Sequence, residues 1–84
     1  MTHRATGSFW SHYRRLPPEG RDLADKAFVL LRTNPRHPSL HLKKTGELWS
    51  VRISLNWRAL ALEDEGGLNW FWIGEHREYH RLTK

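Results

Sequence analysis

The order of hydrophobic and polar positions divides this chain into a helical half and a stranded half. After Ser8, placed as a helix N-cap, Phe9, Tyr13 and Leu16 recur at helical spacing. Pro17-Pro18 ends that helix, because proline lacks the amide donor and clashes with the preceding turn. Pro18 also suits the first turn of a second helix, where Glu19 and Asp22 complement the positive end. Leu23, Ala24, Ala27, Phe28, Leu30 and Leu31 then form one stripe, with Arg21, Asp25, Lys26 and Arg32 outside it. Asn34-Pro35 stops the helix. The pattern predicts a helical hairpin with one apolar side. Thr2 to Gly7 is polar and short, either an extended edge segment or a frayed end.

From Leu48 the period drops to two. Leu48 to Ile73 reads as three short antiparallel strands. A three-residue turn, Ser54-Leu55-Asn56, sets Ile53 opposite Trp57 and Arg52 opposite Arg58. A second turn over Glu63 to Gly67 sets Leu62 opposite Leu68, Leu60 opposite Trp70 and Arg58 opposite Trp72. Alternation then yields two faces. Trp49, Val51, Ile53, Trp57, Ala59, Ala61, Phe71 and Ile73 form an apolar core face. Ser50, Arg52, Arg58, Leu60, Leu62, Leu68, Trp70 and Trp72 form the other. Pro35 to Ser39 is a stiff connector, Lys43-Lys44-Thr45-Gly46 a basic turn, and Gly74 to Leu82 one irregular or helical turn anchored by Tyr79 and Leu82. The expected fold is α+β, a single domain over residues 1–84: an N-terminal helical hairpin on a twisted antiparallel sheet that ends in a three-stranded meander.

Composition narrows the function classes. A core from 84 residues is small, and five Trp, three Phe and two Tyr supply large side chains for it. There is no cysteine, so neither a disulfide framework nor a thiolate metal site is available, and a reducing cytoplasm is the expected location. No stretch is long and apolar enough to span a membrane. A net charge of +5 favours an acidic partner such as RNA, DNA or an acidic protein segment, although many small basic proteins bind nothing charged. His76 and His80, and His37 and His41, are four apart, but neither pair has an evident third ligand, so no metal or other cofactor is expected.

Arg52 and Arg58 carry the candidate chemistry. Two arginines directly opposite each other repel. The pairing is explained if an anion sits between them or if the guanidinium planes stack on Trp70 and Trp72. The plain alternative is two solvated outward residues. Lys43 and Lys44, His76 and Tyr79 have equally plain readings, as a solvated loop, a strand-end cap and a tail anchor. Glu47 is a lone carboxylate at a strand start.

The run Leu-Trp-Ser-Val-Arg-Ile, then Asn-Trp-Arg-Ala-Leu, then Trp-Phe-Trp-Ile-Gly, then His76-x-x-Tyr79, resembles the RelE/ParE superfamily of type II toxins over about Phe9 to Leu82. The resemblance implies a small α+β toxin inhibited by an acidic or amphipathic antitoxin that wraps it. RelE-like members cut messenger RNA on the ribosome without a metal, whereas ParE-like members poison DNA gyrase. Carried onto this chain, the RelE-like reading makes Arg58, Arg52, His76 and Tyr79 catalytic, and Lys43, Lys44, Trp70, Trp72 and Arg77 RNA-binding. The expected partners are a cognate antitoxin and ribosome-bound mRNA. The tail departs from the RelE pattern, with His76-Arg-Glu-Tyr79 in place of a basic run and no long C-terminal helix. A gyrase inhibitor, or a degenerate toxin fold that binds only an antitoxin, remain the alternatives.

Overall fold

The computed structural model describes residues 2–82. The elements run β1 (Thr2–Ala5), α1 (Gly7–Arg14), α2 (Pro18–Thr33), a 3₁₀ turn (Pro38–Leu40), β2 (Lys43–Thr45), β3 (Leu48–Arg52), β4 (Trp57–Asp64), β5 (Gly67–Glu75) and α3 (His76–Leu82). The strands form one mixed sheet in the order β1-β5-β4-β3-β2. No helix among the described residues is long and apolar enough to cross a membrane.

The helical hairpin stands as expected, with Pro18 opening α2 and Asn34 closing it. Its first cap does not. Thr6, not Ser8, is the N-cap of α1, and its hydroxyl accepts from the Phe9 amide at 3.1 Å. The chain reaches Thr6 in extended form, because Thr2 to Ala5 pair in parallel with Gly67 to Trp70. The sheet is therefore mixed rather than antiparallel. Arg4 ties this edge strand down, donating to both carboxylate oxygens of Asp64 at 2.9 and 3.0 Å and to Asn69 at 3.1 Å. The basic segment at Lys43 is likewise an edge strand, not a turn; the chain reverses at Gly46, whose φ of +65° suits glycine.

Phe9, Ala24, Ala27 and Leu31 of the helices, with Leu16 of their connection, pack on Val51, Ala59, Ala61, Leu68, Trp70 and Ile73 of the sheet. The Arg52–Arg58 pairing is as expected, and so is Trp49 and Val51 facing the helices. Strand β5 differs. Its turn is the two-residue Glu65-Gly66, with Gly66 at φ +89°, so Glu63 pairs with Leu68. A bulge then leaves Phe71 without a partner, so that Ala61 meets Trp70 and Leu60 meets Trp72. Together the two shifts move Leu68 and Trp70 to the helix-packed face. Trp72 stays on the open face, opposite Leu60.

Candidate nucleic-acid interface

The open face of the sheet carries Arg52 and Arg58 by register, together with Ser50 and, on the edge strand, Lys43. Strand β5 runs straight into α3, and the His76 amide is held by the Asn56 carbonyl at 2.7 Å. That bond folds α3 back against β4 and β5. Tyr79 is thereby brought over Arg58, whose guanidinium carbon lies 5.9 Å from the ring centroid, within cation–π range.

Arg58 is half-buried. Its Nη1 donates to the Ser54 carbonyl at 2.8 Å and more weakly to the Trp57 carbonyl at 3.4 Å, which fixes the planar fork against the turn. Burial first, and the neighbouring Arg52 charge second, lower the pKa of its guanidinium, while Tyr79 acts in the opposite sense. A cation held in this way is poorly solvated and well oriented, the condition under which it attracts an anion most strongly. Arg52 turns aside, with its Nε donating to the Ser39 carbonyl at 3.3 Å. It lines a separate recess with Leu23, Lys26 and Leu55. The two guanidinium groups thus share a face but are anchored to different loops.

His76 stacks on Tyr79 with centroids 5.9 Å apart. Its Nε2 lies 2.7 Å from the Nε2 of His80. Its Nδ1 is closed off from solvent and has no hydrogen-bond partner. Burial, then the charge of Arg58, then His80 lower the pKa of His76, so the ring is neutral at pH 7. Beside this group lies a cleft of about 330 Å³, lined by Lys43, Thr45, Leu48, Ser50, Tyr79 and His80.

The geometry therefore gathers Arg58, His76, Tyr79 and Lys43, with Arg52 at the margin. It leaves out four other candidates. Trp70 is 2% exposed, lies in the helix-side core against Phe28, and donates its indole N–H to His3 at 3.0 Å. No base can stack on it. Trp72 is on the expected face but 8% exposed, its ring pressed onto Gly74, where a Cβ would sit 2.5 Å from it. Lys44 belongs to the other face, paired with Glu63 at 3.3 Å over the Trp49 ring. Arg77 does not line the cleft but borders a second recess, together with His76, Glu19 and Trp57. Leu82 is exposed and anchors nothing. His80 is the residue missed. Its spacing of four from His76 is the available signal, because on a helix such residues meet.

No protein-family model and no curated protein matches the chain. Solved structures do match it. The RelB–RelE antitoxin–toxin complex from Methanococcus jannaschii gives a TM-score of 0.73 at 9% identity, covering 96% of this chain and 99% of that one. YafQ from Escherichia coli strain BL21(DE3) gives 0.67 at 12% identity, covering 93% and 96%. The YoeB/ParE toxin from Agrobacterium tumefaciens gives 0.65 at 18% identity, covering 90% and 99%. At these identities the likeness is one of architecture: the chain has the fold of the RelE/ParE-type toxins.

Proposed function

We propose that this chain is the toxin of a type II toxin–antitoxin pair and that it cuts messenger RNA on the ribosome, with the 2′-hydroxyl attacking the adjacent phosphorus. The carrying observation is the half-buried Arg58, clamped to Ser54 and covered by Tyr79, on which His76 stacks. Cleavage of this kind develops charge on the phosphoryl oxygens and requires a proton to leave the 2′-oxygen. Arg58 supplies a preoriented cation for the first need. His76 supplies proton transfer for the second. Tyr79 lines the cleft with an aromatic ring, the kind of side chain on which an unstacked base rests. Lys43, exposed on the same rim, steers the phosphate backbone, and Arg52 adds to the local positive potential. The partner that silences the toxin is an antitoxin segment of acidic character, complementary to the +5 chain. The antitoxin bound to RelE in the Methanococcus jannaschii complex supports this part of the reading.

The test is a cleavage assay on translating ribosomes with wild type, Arg58→Ala and His76→Ala. Cutting by the wild type, and its loss in both variants, is the expected result. An uncut message together with inhibited supercoiling in a gyrase assay would assign the fold to gyrase poisoning instead.

A further inference from the structure

One polar atom among the described residues is buried without a partner, and it is the Nδ1 of His76. Buried polar nitrogen is nearly always paired, so an orphan next to a candidate phosphate site calls for a reason. The other ring nitrogen offers one. His76 Nε2 and His80 Nε2 approach to 2.7 Å, a distance that requires a single hydrogen between them. From this contact and the orphaned atom behind it, we infer that His80 is a positioning residue: it holds His76 in the tautomer protonated at Nε2 and leaves Nδ1 as the nitrogen that takes the substrate's proton. The inference rests on the nuclease reading and names a residue that reading does not require.

The choice of tautomer follows from where the proton can be tolerated. With His80 donating, His76 would carry its own proton on Nδ1, as a buried N–H with no acceptor. Orphaned buried N–H groups are rarer than underused acceptors. With His76 donating, Nδ1 is a bare lone pair, and His80 keeps its proton on the nitrogen turned away from His76. The ring then holds its basic atom free of a proton, which is the state a general base needs.

The proton balance closes. The 2′-hydroxyl proton passes to Nδ1 as the 2′-oxygen bonds to phosphorus and the bond from phosphorus to the 5′-oxygen breaks. The leaving oxygen takes a proton from solvent. The imidazolium so formed donates its Nε2–H to His80 Nε2, a charge-assisted bond stronger than the one before it. Nδ1 is closed off in the free protein, so RNA entry must open it. Helix α3, which buries none of its side chains, is the element that can yield.

The experiment compares wild type, His80→Ala and His80→Gln in single-turnover cleavage on ribosomes, with ¹⁵N NMR of the histidine rings in the same proteins. His80 is exposed, so neither change disturbs the core. His80→Ala should lower the single-turnover rate constant by on the order of ten- to a hundredfold with the half-saturating concentration little changed, a part of what proton transfer contributes. His80→Gln, whose carbonyl can accept the same hydrogen, should recover most of the loss. The NMR should report His76 protonated at Nε2 and bare at Nδ1 in wild type, and a mixture of tautomers in His80→Ala. A wild-type single-turnover rate in His80→Ala, or an Nδ1-protonated His76 in wild type, overturns the inference. If the wild type does not cut at all, the nuclease reading fails by that result, and the tautomer decides the His80 inference by itself.

Discussion

Arg58 owes its suitability to what surrounds its charge. A guanidinium in open solvent is screened and mobile; this one is half-buried, tied to the Ser54 carbonyl and faced by Tyr79. The planar fork matters as much as the charge, so Arg58→Lys should lose most of the cleavage that Arg58→Ala loses. Rates for the two variants on the same ribosomes measure this, and a lysine variant at near-wild-type rate would show that charge alone is enough. His3 shows the opposite use of a histidine. It accepts the Trp70 indole proton, and burial, then the N-terminal charge, then Arg32 lower its pKa. Because its folded value lies below the unfolded 6.5, the unfolded chain binds the proton first. Its stabilising contribution is present above 6.5 and fades as pH falls from there through the folded value. Melting temperature should therefore drop between about pH 7.5 and 5. The drop should be shallower in His3→Gln, and an unchanged slope there would remove His3 from the account.

At the scale of elements, the legible parts are those whose cause is local. Helix α2 follows from its apolar stripe between two proline signals, and the Arg52–Arg58 pairing follows from a three-residue turn. The positions of Trp70 and Trp72 do not follow from anything local. Trp-Phe-Trp reads as plain alternation, yet the bulge at Phe71 sends the two indoles to opposite faces. For β1 the extended edge segment is one of two readings, but its parallel pairing is not legible, because three polar residues and one alanine carry no apolar period and their partner strand lies far along the chain. That pairing does leave one requirement in the sequence. A Cβ on Gly67 would stand 2.1 Å from the Thr2 carbonyl oxygen, which is backbone and cannot swing away. Gly67→Ala should cost about 1–3 kcal/mol, the usual penalty of overpacking, and release β1. Chemical denaturation with hydrogen exchange at Thr2 to Ala5 tests it, and wild-type protection there would contradict the parallel register. Thr6→Ala should cost about 1 kcal/mol through loss of the α1 cap.

For the molecule as a whole, the sheet divides the labour. Its helix-packed face holds the large buried side chains, and its open face holds Arg58, Lys43 and Ser50, with α3 folded over one end. The stability of the domain and its chemistry are thereby set by different sets of residues, so variants of the open face should lose activity while keeping their melting temperature. A basic chain that grips phosphates should also bind single-stranded RNA more weakly as salt rises from about 50 to 200 mM, with Lys43→Ala reducing that slope. The most direct measurement is the chemistry of the cut ends. Messenger RNA from ribosomes treated with the wild type should carry 2′,3′-cyclic phosphates and 5′-hydroxyls at the cut, and Arg58→Ala should leave the message whole. Intact message after wild-type treatment, or equal cutting by Arg58→Ala, would contradict the account.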